Sequence, residues 1–154
     1  RDSADRRDSL LAVLKQYNVY LVLQVHYHSY ARGSIFQTPE RLALGEEGEN
    51  VQVMLVNSVS GAKMYEFSPD GWDSYSEHGV TLQRLDENTP FFQVISVDGS
   101  RLIYEAYTAD DQLYDYFEML KGANGFKSVS RGERQTISER RFATTGEFDN
   151  APPL

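Results

Sequence analysis

Cysteine is absent from the 154 residues, which excludes disulfides, thiolate metal sites and cysteine nucleophiles together and leaves the redox compartment open. Proline is scarce, at 5 against 10 Tyr and 8 Phe, which excludes a collagen-like or disordered chain. Positive charge is in deficit. With 15 Lys and Arg against 23 Asp and Glu the net charge is −8, so there is no electrostatic footprint for a nucleic-acid backbone or an anionic membrane. A small phosphate ester stays compatible, because a metal ion inverts the local field. No apolar run approaches the ~20 residues that cross a bilayer. The sequence opens on Arg1 without a Met or a signal-like segment, the pattern of a processed chain or a fragment of a longer product.

What is present folds as one domain, being within the roughly 100–200 residues of a typical unit. Leu10, Leu11, Leu14 and Tyr17 lie at i, i+1, i+4 and i+7, which predicts an amphipathic helix over residues 4–17 that stops at Asn18. Residues 19–25 are an apolar run, but for Gln24, rich in β-branched valine, as expected of a strand covered on both faces. A helix feeding such a strand points to an α/β layer. Residues 51–59 predict a second buried strand, and residues 63–67 a short edge segment. Residues 68–80 read as irregular around Pro69-Asp70-Gly71. The Asp98-Gly99 dipeptide between residues 91–97 and 100–107 predicts a hairpin with a type I′ turn. A third strand over residues 112–119 then completes an antiparallel meander. From Gly122 on, Gly, Ser, Arg and Thr dominate, which predicts an extended surface tail over residues 122–154.

Chemistry concentrates after the first strand, at the edge where open α/β sheets place their sites. Two of the three histidines, His26 and His28, stand one residue apart there. If strand geometry persists, they project to one face and can serve a metal centre. By spacing alone, a pair that packs and hydrogen-bonds is the ordinary explanation.

The wider string, Val25-His26-Tyr27-His28-Ser29-Tyr30-Ala31-Arg32-Gly33, resembles the closing ligand segment of calcineurin-like metallophosphoesterases of the purple acid phosphatase type, in which Gly-His-x-His continues into Tyr-x-Arg. The blocks around it occur in the family's order, from the helix through Ser58-Val59-Ser60-Gly61-Ala62-Lys63-Met64-Tyr65 to the late hairpin. The resemblance implies that residues 1–121 are the C-terminal half of an αββα sandwich. It implies a dinuclear centre of Zn, Mn or Fe, with His26 a ligand of one ion and His28 of the other, hydrolysing a phosphate monoester. Tyr30 and Arg32 would brace the ligand loop, with approach of Arg32 to a phosphate oxygen as the second role. The resemblance favours an extracytoplasmic location. Val25 stands where the family pattern has Gly. The family's other ligand blocks, Asp-x-His, Gly-Asp-x-x-Asp and Gly-Asn-His-Asp/Glu, do not occur here, and two imidazoles fall short of the three or four protein ligands of a catalytic zinc. The expectation is therefore a chain inert by itself, with apolar sheet surface left bare and self-association through it.

The alternative is a non-catalytic, β-rich interaction module on the same scaffold. Other residues take plainer readings. His78 in Ser76-Glu77-His78-Gly79 reads as a solvated loop histidine, and Ser58 and Ser60 lack a Gly-x-Ser-x-Gly elbow. The acid pairs Glu46-Glu47 and Asp110-Asp111 read as solvated faces, and Tyr104, Tyr107, Tyr114 and Tyr116 as strand packing.

Overall fold

Residues 4–25, 28–36, 49–58, 60, 61, 63–66, 73–122, 125, 127–130, 134 and 136–139 are described by the structure, a computed structural model. Helix α1 (Ala4–Gln16) ends as the sequence predicts. Asn18 takes a left-handed φ of 53°, the Val19 amide reaches back to the Leu14 carbonyl at 3.0 Å, and the Asn18 amide to that of Lys15 at 3.3 Å. These two bonds are a Schellman cap, satisfying carbonyls that the helix leaves open. The buried stripe is narrower than expected: Leu11 and Leu14 are covered, while Leu10 and Tyr17 face solvent.

Among the described residues eight strands follow, in the sheet order β4-β2-β3-β8-β7-β6-β5, with β1 also on β3. Their ranges are β1 (Leu21–Gln24), β2 (Tyr30–Phe36), β3 (Glu49–Asn57), β4 (Thr81–Asp86), β5 (Phe91–Asp98), β6 (Arg101–Thr108), β7 (Leu113–Lys121) and β8 (Lys127–Ser130). A four-residue helix, α2 (Asp73–Ser76), lies before β4. Among the described residues the structure is mostly β, and only the β1–β3 pair is parallel, where the helix feeding an apolar strand had pointed to an α/β layer. The antiparallel meander β5-β6-β7 is present.

Strand β3 belongs to two sheets. Sheet A is β4-β2-β3-β1, and sheet B is β8-β7-β6-β5, joined to β3 through Glu49↔Val129 and Asn50↔Ser128. Alternation along β3 feeds two cores. Met54 and Val56 join Tyr30, Phe91, Tyr104, Tyr114, Phe117 and Met119 between the sheets. Val53 and Leu55 join Leu11, Leu14, Ile35, Tyr75, Val80 and Leu85 under the helices. The layers are helices, sheet A and sheet B. Burial of β3 on both faces matches its apolar run over Val53–Val56. That of β1 does not: Leu23 and Val25 are 54% and 73% exposed, because β1 is an edge strand with β3 on one side only.

The hairpin forms one residue later than expected. Asp98 pairs with Arg101, so Gly99 and Ser100 make the loop. Gly99 has φ +56° and Ser100 is not in the left-handed region; one positive φ at the first central position fits type II′, which matches strand twist as well as type I′ does. The reading of residues 122–154 as a surface tail fails over β8, where Lys127 and Val129 point inward and are buried. It fails again at Ile137, whose amide bonds the Leu113 carbonyl at 3.1 Å beside the core.

Burial raises the hydroxyl pKa of Tyr30, Tyr104 and Tyr114, with the Asp115 charge adding to the rise at each. Above the ordinary phenol value of 10, the unfolded chain loses these protons while the folded chain keeps them, so stability falls as pH rises further. Denaturant midpoints are expected to decline from pH 10 upward. Ultraviolet titration should show these three phenols ionising only with unfolding.

Candidate functional site

Strands β1 and β2 flank β3 on opposite sides, β1 parallel and β2 antiparallel to it. Gln24, the last residue of β1, and Ser29, just before β2, therefore both lie at the carboxyl end of β3, the edge the sequence nominated. Both are pinned to β3 there. The Ser58 amide donates to the Gln24 carbonyl at 3.0 Å, and the Asn57 Nδ2 amide donates to the Ser29 carbonyl at 2.6 Å. Gln24 is held further by the Tyr75 hydroxyl, 3.2 Å from Oε1. Val25 sits exposed without a left-handed φ, so the absence of the family's Gly places no strain on this turn.

His26 lies outside the described residues. His28 is half-buried and clamped by residues 63–65. Its carbonyl accepts the Tyr65 amide at 2.7 Å, its ring lies 5.0 Å from the Tyr65 ring, and its Nδ1 is hydrogen-bonded to the Lys63 carbonyl. A carbonyl only accepts, so Nδ1 carries the proton and the neutral ring keeps its lone pair on Nε2. No hydrogen bond among the described residues occupies Nε2. Anchoring one imidazole nitrogen to a carbonyl so that the other can ligate is how metal-binding histidines are commonly oriented. Among the described residues no three His, Asp or Glu side chains converge as ligands.

Tyr30 and Arg32 turn away from this edge, into the space between the sheets. Arg32 donates from Nε and Nη2 to the two oxygens of Asp115 at 2.6 and 3.0 Å, and from Nη1 to Gln83 Oε1 at 2.7 Å. The Tyr30 hydroxyl donates to Asp115 Oδ2 at 2.7 Å. Burial works against the guanidinium charge, and the charge and hydrogen bonds of Asp115 outweigh it, raising the Arg32 pKa. With its fork occupied and its side chain buried, Arg32 ties β2 to β7 and β4 and is not placed to meet a phosphate. Asp115 was the legible clue, an acid between Leu113 and Phe117 on the inward face of β7. Lys63 and Asn57 act through backbone and amide groups that no motif announces.

His78 is not a solvated loop residue. Its Nε2 lies 2.6 Å from Asp8 Oδ1 and its carbonyl accepts Lys15 Nζ at 3.2 Å, tying the turn after α2 to α1. Asp110 serves its own turn, bonded to Thr108 Oγ1 and to Gln112 Nε2. Glu46 and Glu47 lie outside the described residues. Tyr104 and Tyr114 are core residues, as strand packing requires.

Comparison with protein-family models, curated proteins and solved structures gives no match. No helix among the described residues is long and apolar enough to cross a membrane.

Proposed function

We propose that this chain carries the histidine segment of a calcineurin-like metallophosphoesterase, with His26 and His28 as metal ligands and the remaining ligands supplied from outside these 154 residues. The observation that carries the reading is the clamp on His28, where the Nδ1 bond to the Lys63 carbonyl leaves Nε2 as a lone-pair donor at the carboxyl end of β1 and β3. An imidazole so prepared suits Zn or Fe. The layers support the αββα reading as three of its four: helices, sheet A, sheet B. Bound ions would supply an acidified water and neutralise charge on a transferring phosphoryl group. The chain's own residues hold and orient: Asn57 and the Ser58 amide fix the ends of the segment, Lys63 and Tyr65 fix the ring of His28, and Tyr30 and Arg32 anchor the strand behind it.

Two assays test this. His28→Ala in a longer parent enzyme is expected to abolish phosphomonoester hydrolysis, and an unchanged rate would remove the ligand assignment. The 154-residue chain with added Zn²⁺, Mn²⁺ or Fe should not turn over an aryl phosphate; robust turnover would sink the incomplete-site reading.

A second reading, a non-catalytic interaction module, is favoured by one observation. Among the described residues no strand pairs with the outer edge of β5, and Phe92, Val94, Ile95 and Val97 on it are 36–69% exposed. No charged residue occurs from Phe91 to Val97, so the usual safeguard against edge pairing is missing. Sedimentation velocity is expected to show association that grows with concentration and weakens in Val94→Lys. A concentration-independent monomer would count against both the bare-surface expectation and this module.

A further inference from the structure

One edge of β3 changes partner part-way along its length. Glu49 and Asn50 pair with β8, Met54–Asn57 with β1, and the stretch between them has neither strand to bond. Lys127, the first residue of β8, fills this fork. Its side chain is fully buried, its Nζ donates to the Val19 carbonyl at 2.9 Å and to the Gln52 carbonyl, and it lies 4.2 Å from the centroid of the Tyr20 ring. The two carbonyls satisfy both N–H groups of a neutral amine; an ammonium gains only the face of the Tyr20 ring in place of the water it loses, with no carboxylate among the described side chains to offset its charge.

The described side chains and carbonyls around the fork offer dipoles or like charge. From the lead-in to β1 come the Val19 carbonyl and the Tyr20 ring; from β3 comes Gln52, whose Nε2 donates to the Lys15 carbonyl on α1 at 3.3 Å. From β7 comes Lys121, a second cation 5.7 Å from the Tyr20 ring. Next to the fork, Asn18 Nδ2 donates to the Gly125 carbonyl at 3.0 Å. Among the described residues no carboxylate faces Lys127, and burial alone lowers its pKa from 10.5 to about 8.

We propose that Lys127 is a proton-controlled clasp: as a neutral amine it locks β8 into the fork of β3, and as an ammonium it loosens that strand, so β8 is held more tightly as the solution becomes more alkaline. The sign follows from linkage. Opening β8 returns the amine to water, where it takes up a proton, so between pH 8 and 10.5 the open state binds more protons and opening becomes less favourable as pH rises. One proton limits the effect to about tenfold per pH unit. This is independent of any metal centre.

The test pairs a lysine amine NMR titration with native-state hydrogen exchange corrected for intrinsic rates. The Lys127 amine is expected to titrate near pH 8. Protection of the Ser128, Val129 and Ser130 amides should rise several-fold from pH 8 to 9 in the parent chain and stay flat in Lys127→Met. The amides of Ile103 and Tyr104 on β6 should respond alike in both proteins. An inflection at the ordinary lysine value, or the same β8 response in Lys127→Met, would overturn the proposal. Should the variant fail to fold, the titration of the parent chain decides it.

Discussion

Asp115→Ala is expected to lower the stability of this chain by about 3–5 kcal/mol, the usual loss when one partner of a buried ion pair is removed. Both side chains are almost wholly buried, at 3% and 4% exposure, so the guanidinium left behind cannot recover its hydration. Gln83 would remain as its sole side-chain hydrogen-bond partner among those described. Asp115 also receives the Tyr30 hydroxyl and the Tyr116 amide, so truncation takes a charged acceptor from both, leaving the phenol only its longer 3.4 Å bond to the Tyr104 hydroxyl. A domain of this size is stable by only about 5–15 kcal/mol, which makes the loss a large fraction of the whole. Urea unfolding should show a much lower midpoint with an unchanged slope. Replacing both partners, as in Arg32→Met with Asp115→Leu, should restore much of the loss, because no charge is then left uncompensated. A midpoint for Asp115→Ala within about 1 kcal/mol of the parent would mean that this pair does not join the sheets.

Phe117→Ala should be comparably damaging, on the order of 3–5 kcal/mol for a buried aromatic ring. Phe117 is fully buried, stacks on Tyr104 with centroids 4.8 Å apart and planes at 11°, and lies 5.6 Å from the Arg32 guanidinium. Deleting the ring opens a cavity between the sheets and exposes one face of that buried cation. Because both substitutions act on Arg32, their effects should not add. The double variant is expected to lose less than the sum, read from the same unfolding curves. Strict additivity would show that ring and ion pair are energetically separate.

The parts of this fold that were legible share one property: their sequence signal and their tertiary environment agree. The helix of Leu11 and Leu14 ends at an Asn able to take a left-handed φ, the run of β3 is buried on both faces, and the hairpin carries a Gly at its turn. Strand β2 was hidden because Arg32, Gly33 and Ser34 interrupt its apolar pattern, and only a buried carboxylate on a distant strand makes an arginine acceptable there. Strand β4 was missed because Gln83 and Arg84 hold partners on other elements rather than a place in an apolar face. Strand β8 reads as polar tail, since Lys127 belongs in a core only where two carbonyls wait for it. The histidine segment was visible as a motif. The backbone of Lys63 that sets its tautomer has no sequence signature, because any residue can supply a carbonyl.

The fork in β3 also bears on how the chain is made. Gln52 and Lys127 are 75 positions apart, so on a ribosome β3 emerges and can pair with β1 and β2 long before the strand that finishes its other edge exists. Contacts of such separation form slowly and leave apolar edges open in the meantime. Until β8 is made, the nascent chain therefore carries part of one edge of β3 unpaired, and this interval is where a chaperone has most to bind.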